Sequence, residues 1–285
     1  MFKLANQPQG IGRNLDNGFR LLIAGIGPAA LLLLIMIIAG VVLVTIFGAQ
    51  MFTVMSQLES GQMPADGIAG FGLFILLFYI VMITIQNAMT AEYGSIAYER
   101  KMGIGEAIVT GLKKVIPVIV YAIMYGLILL VASLPLIILM AVLQPQGALA
   151  AVIGIIGIIP PMIVGLTLIM GTYLIIIDDV GIFEAISRSH KMVWGNWWRT
   201  LLYLSIIMII MIAIMFAIMF VFGLIISLVA GASEGNMTMM VTLQVINQLV
   251  SFVFMPVMVA LLIPYYHDLK LRKEGGDLAV KISAA

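Results

Sequence analysis

Two aspartates stand side by side at 178–179, a histidine and an aspartate at 267–268, and a glutamate at 92, in a chain that is only 9% charged. Carboxylates gathered around an imidazole can hold a metal ion or act on a lipid headgroup. Asp178, Asp179 and His267 are the candidates for such a centre, with Glu92 and Asp268 as neighbours. A plainer reading gives Asp178 and Asp179 to the start of the following helix, as caps and as negative charge at the positive end of its dipole. Nothing in the sequence draws the five residues together, so the plainer reading is preferred, and neither a metal nor a cofactor is expected.

Two further patterns carry chemistry on paper. GASEG at 231–235 spells the G-x-S-x-G nucleophile elbow. That motif needs a strand–turn–helix setting and a histidine partner, and both histidines, His190 and His267, fall on the other side of the expected membrane; it reads as a flexible turn. Gln244, Asn247, Gln248 and Ser251 fall at i, i+3, i+4 and i+7, one polar stripe on an otherwise apolar helix. Uncharged polar groups in hydrocarbon usually find partners on adjacent helices. Packing is therefore the first reading, and a polar cavity lined by these four is the sharper alternative.

The elements that would position these residues follow from composition. The 285-residue chain is 63% hydrophobic, with a mean hydropathy of +1.21. A soluble surface needs more charge than this, whereas a bilayer accepts an apolar exterior if every backbone polar group is bonded internally. Spanning about 30 Å of hydrocarbon takes roughly 20 helical residues. Six uncharged runs qualify, at about 21–49, 68–91, 115–143, 148–177, 201–230 and 238–266. They lack the ten-residue alternation of an outer-membrane barrel, and the first is too long for a signal-peptide core. The expected fold is an all-α integral membrane protein of six transmembrane helices. With no cysteine, disulfides and thiol chemistry are excluded.

Six spans place both termini and the segments 92–114 and 178–200 on one side. That side collects all 14 Lys and Arg residues; the opposite loops carry only Glu59, Asp66 and Glu234. By the positive-inside rule the basic side is cytoplasmic. No Asp, Glu, Lys, Arg or His falls mid-span, which argues against proton-coupled transport. No P-loop is present, so an ATP-driven role would need a separate subunit.

Three segments that enter spans one, three and five align without gaps: IGRNLDNGFRLL from 11, IGEAIVTGLKKV from 104 and IFEAISRSHKMV from 182. Ile11, Ile104 and Ile182 fall in one column, Gly18, Gly111 and Ser189 in another, and Arg20, Lys113 and Lys191 in a third. Each reads as an amphipathic helix, a form that lies in the membrane interface. The expected unit is a cytoplasmic interfacial helix followed by two spans, used three times over 11–91, 104–177 and 182–266, with a cytoplasmic tail at 267–285. In the third copy Ile182, Ile186, Ser189, Val193 and Trp197 share one face, while Glu184, Arg188, Lys191, Gly195 and Arg199 share another, with Glu184 and Arg188 spaced for an ion pair. Trp194, Trp197 and Trp198, the chain's only tryptophans, favour interfacial depth. The expected lipid contacts are thus Arg20, Lys113, Arg188, Lys191, Trp194, Trp197, Trp198 and Arg199, the bases meeting anionic headgroups.

IGRNLDNGFRLL, EAISRSHKMVWGNWWRTL and the closing PYYHDLKLRKEG resemble bacterial six-span inner-membrane proteins: the membrane domain attached to some glycerophosphoryl diester phosphodiesterases, and the YciC-like uncharacterised family. His267 interrupts the Tyr-Tyr-Asp-Leu expected from that resemblance. The chain has no room for the phosphodiesterase barrel and no acid cluster for its metal, so the resemblance implies a fold and a bacterial inner-membrane location, not that activity. The expected function is a non-enzymatic scaffold, assembly or lipid-contacting component. Its partners would be membrane lipids, and an unidentified protein or a second copy of the chain; nucleic acid is not expected. The alternative is a permease, or permease subunit, for an uncharged or amphipathic solute. A membrane enzyme acting on lipid headgroups comes third.

Overall fold

The computed structural model describes residues 3–61, 67–230 (side chains to 224), 252 and 254–273, and among these every regular element is helical. In chain order they are α1 (Ile11–Ala24), α2 (Ile26–Glu59), α3 (Ile68–Ala97), α4 (Ile104–Lys113), α5 (Val115–Leu143), α6 (Gly147–Gly157), α7 (Ile159–Leu168), α8 (Gly171–Ile177), α9 (Ile182–Val193) and α10 (Trp197–Ala230). A further helical run at 254–273 is α11. Five segments are long and apolar enough to cross a membrane: α2, α3, α5, α6–α8 taken together, and the described part of α10. α11 carries the described end of the sixth expected span.

The fourth span is the one that breaks. Its first interruption, at Ile158, precedes Pro160 and Pro161 in the first turn of α7. Proline lacks the N–H that would continue a helix and disfavours helical geometry in the residue before it. The second interruption, at Ile169–Met170, contains no proline. It exposes backbone groups that a membrane interior cannot leave unbonded, and side chains from elsewhere take them. Ser189 Oγ of α9 donates to Thr167 O at 2.8 Å and accepts from Met170 N at 3.2 Å. The Tyr121 hydroxyl of α5 donates to Leu168 O. Gly171 gives that phenol room, because a Cβ there would sit 2.0 Å from the ring.

Packing is concentrated where the basic residues lie. Tyr93, Leu174, Tyr203, Tyr265 and Tyr266 are fully enclosed there. Toward the other end the spans present apolar side chains outward, among them Val142 at 73% and Phe216 at 71% exposure. In water such a surface would be untenable; in lipid it is the solvated state. Apolar contact alone does not hold helices together in lipid, so close backbone approach and interhelical hydrogen bonds must do it. Both devices are present at the basic end.

Candidate functional site

The small residues of the aligned column are the points of closest approach. A Cβ on Gly111 of α4 would lie 2.3 Å from Thr84 O and 2.9 Å from Ala88 N of α3, and Asn87 Nδ2 donates to Gly111 O at 3.2 Å. A Cβ on Gly18 of α1 would lie 2.8 Å from Leu261 Cα and 3.3 Å from Ala260 O of α11. Ser189 of α9, wholly buried, makes the bonds to the α7–α8 break described above. Two positions beyond each small residue stands a base, Arg20, Lys113 or Lys191, and all three are exposed. Each of these helices starts one residue after a glycine in extended conformation: Gly10, Gly103 and Gly181. The N-cap of α9 is thus Gly181, with no side-chain cap, and Asp178 and Asp179 do not cap it.

Those aspartates make ion pairs instead. Asp178 Oδ2 meets Lys270 Nζ at 2.7 Å and Arg188 Nη2 at 3.4 Å, joining the end of α8 to α11 and α9. Asp179 pairs with Lys114 at the start of α5; that ammonium, by hydrogen bond and by charge, holds the exposed carboxyl below its ordinary range. Asp268 is the most enclosed of the three, its side chain 1% exposed. It takes Arg199 Nη2 at 3.1 Å, Arg272 Nε at 2.9 Å and the backbone N–H of Gln9 at 2.5 Å. Both guanidinium groups also donate to Gln9 O. Arg199, expected to face headgroups, is therefore turned inward. Arg188 makes the expected pair with Glu184 at 3.4 Å and also reaches Asp178.

His267 sits in the same cluster and fastens the segment before α1. Its Nε2 lies 3.0 Å from Ala5 O and its Nδ1 lies 3.2 Å from the Tyr98 hydroxyl. A neutral ring with the proton on Nε2 satisfies both, donating to the carbonyl and accepting from the phenol. Burial pushes the His267 pKa below the ordinary histidine value; the Ala5 carbonyl and the Asp268 and Asp178 carboxylates oppose the shift, and Lys270 adds to it. A base whose packed form resists protonation contributes its full attachment above about pH 6.5, and that contribution fades as pH falls through this value. Amide protection at residues 3–9 is expected to drop between about pH 7.5 and about pH 5.5, by hydrogen exchange corrected for intrinsic rates. His267→Gln should remove the pH dependence; an unchanged dependence in that variant would place its source elsewhere.

The tryptophan-bearing stretch is not one continuous helix. α9 stops at Val193, Gly195 adopts φ +87°, and Asn196 N donates to Val193 O at 2.8 Å. This is a tight turn of the type II kind, whose third residue needs a positive φ and hence glycine. The turn redirects the chain from α9 into α10, so Gly195 and Arg199 do not continue the polar face of α9. Trp194 and Trp198 are exposed, Trp197 is half-buried, and the rings of Trp197 and Trp198 stack at 4.0 Å.

Among the described residues no group of three or more His, Asp or Glu is arranged to hold a metal. Glu92 is buried on α3, while Asp178, Asp179 and His267 are each engaged as above. GASEG and the stripe of Gln244, Asn247, Gln248 and Ser251 lie outside the described residues. Sequence reasoning missed Gln9, Lys270 and Arg272 as partners of the aspartates. The glycine preceding each aligned isoleucine was the readable sign of the helix starts.

Helices of this length and hydropathy, tied at one end by ion pairs and close backbone contacts, define a multi-pass helical membrane protein. Residues 101–269 match the model of a family described as a domain of unknown function, DUF7847, and the chain belongs to that family. No curated protein and no solved structure matches it.

Proposed function

We propose that this is a six-span bacterial inner-membrane protein with cytoplasmic termini, working without catalysis as a scaffold whose basic face contacts anionic lipid. In this reading α1, α4 and α9 are the interfacial helices of three repeated units. The observation that carries it is the order in which they pack. α4 closes on α3 of the first unit, α9 on the α7–α8 break of the second, and α1 on α11 of the third. Each interfacial helix thus seats on the second span of the unit before it, and the chain closes as a ring. The likeness to the phosphodiesterase membrane domain and the YciC-like proteins agrees with a six-span frame of this kind. The positive-inside distribution of the bases supports the orientation. Engagement of Asp178, Asp179, Asp268 and His267 in interhelix ties favours a structural role over headgroup chemistry.

A lipid-facing role makes stability depend on headgroup charge, at about 1 kcal/mol per base near the surface. Thermal unfolding in nanodiscs of phosphatidylglycerol is expected to occur at higher temperature than in phosphatidylcholine. Combining Arg20→Gln, Lys113→Gln and Lys191→Gln should abolish the difference. Equal unfolding temperatures for the unaltered protein in both lipids would refute the reading.

A further inference from the structure

An apolar groove of about 410 Å³ runs along α10, floored by Ile169 at the α7–α8 break and walled by Phe254 and Met258 of α11. Its volume exceeds the roughly 150 Å³ of an engineered apolar cavity that binds benzene. The α10 side is a single stripe, Leu204, Ile207, Met208, Met211, Ile212 and Met215, spaced i, i+3, i+4, i+7, i+8 and i+11 on one helical face.

We infer that this groove binds one acyl chain of an anionic phospholipid from the leaflet on the basic side, with the headgroup at the tryptophan turn. Length is the first support. Leu204 to Met215 covers about 16 Å at 1.5 Å per residue, close to half of the roughly 30 Å hydrocarbon core. One leaflet's chain fills that distance. The lining is the second: methionine and isoleucine side chains present no polar atom that needs a partner, and methionine adapts its shape to a flexible guest. The mouth is the third. Trp197 lies two turns before Leu204 on the same face, stacked on the exposed Trp198, a residue pair suited to headgroup depth. Exposed Lys191 follows Ser189, which is bonded to the backbone on either side of Ile169. Lys191 therefore lies at the same end of the bundle as the groove's Ile169, on the outward face of α9.

This inference rests on the lipid-contacting reading for its setting and names the lipid's place. The test uses the full chain in bilayers of phosphatidylglycerol and phosphatidylcholine, doped with a phosphatidylglycerol bearing a photoreactive diazirine midway along one acyl chain. Peptide mapping is expected to find several-fold more label on Met208, Met211 and Met215 than on the outward-facing Val131 and Ile138 of α5. Met211→Trp should fill the groove and cut its label several-fold while leaving α5 unchanged. Met215→Trp, at a more open position, repeats the test if the first variant folds poorly. Equal labelling of α10 and α5, indifference to both tryptophans, or a diazirine-independent cross-link showing a second copy seated on the stripe would overturn the inference. Failure here with the headgroup-dependent unfolding intact would remove the groove alone. Groove labelling without that dependence would remove the basic-face reading alone.

Discussion

Asp268→Ala is expected to lower the stability of the folded chain by about 3–5 kcal/mol, the cost of breaking a buried ion pair from one side. Three partners lose their acceptor together: Arg199, Arg272 and the Gln9 amide. The two guanidinium groups, 24% and 29% exposed, would then face each other with only the Gln9 carbonyl between them. The expected sign is a large fall in unfolding temperature together with loss of amide protection at residues 3–9. Asp268→Asn should fall between, since its carbonyl still accepts one hydrogen bond but carries no charge. A loss within about 1 kcal/mol for the alanine variant would be the value of an exposed pair, and would mean that the enclosure of Asp268 does not set its worth.

The second large effect belongs to Gly111. Any side chain there meets backbone, Thr84 O and Ala88 N, which no rotamer change can move aside. Gly111→Ala should cost about 1–3 kcal/mol, as overpacking does, and Gly111→Val should cost more. The same helix supplies its own control. A Cβ on Gly105 would meet nothing within 4 Å, so Gly105→Ala should be neutral or stabilising by up to about 1 kcal/mol, through helix propensity. Opposite signs for two glycine substitutions in one ten-residue helix would locate the contact. If both substitutions shift stability alike, α4 is not seated on α3 as described.

How much of this was legible in advance depends on the reach of each interaction. The third span, expected at about 115–143, coincides with α5, because an apolar run that begins after Lys113 and Lys114 and ends before Gln144 and Pro145 is a local signal. The pair of Glu184 and Arg188 and the outward column of Arg20, Lys113 and Lys191 were local too, since both follow from helical spacing. The first break in the fourth span has a local cause in Pro160 and Pro161, yet Pro135 lies inside α5 without breaking it, so proline alone did not mark the place. The second break was not readable, because Ser189 and Tyr121, which make it tolerable, lie on other helices. The roles of Asp178 and Asp268 were missed for the same reason: their partners Lys270, Arg199 and Gln9 come from distant segments. A cap was expected because it is the nearest thing an aspartate before a helix can do; the ion-pair partners lie farther away along the chain. Arg199 was assigned to the lipid face by extending α9 across Gly195, and the turn at that glycine made the extension invalid.

The seating of Gly18 against Ala260 and Leu261 sets a schedule for biosynthesis. The C-terminal end of α1 can meet α3 early, at Gly25 against Tyr93, but the seat of Gly18 on α11 waits until residues 260–261 have been made. At about 5–20 residues per second, that wait lasts on the order of tens of seconds. Throughout it the Gly18 face of α1 lacks its partner, and the contact of Gly25 with Tyr93 is left to hold that end of the helix. A ribosome that stalls before residue 260 leaves the Gly18 face of α1 uncovered, and quality-control proteases would meet that face as the mark of an unfinished chain.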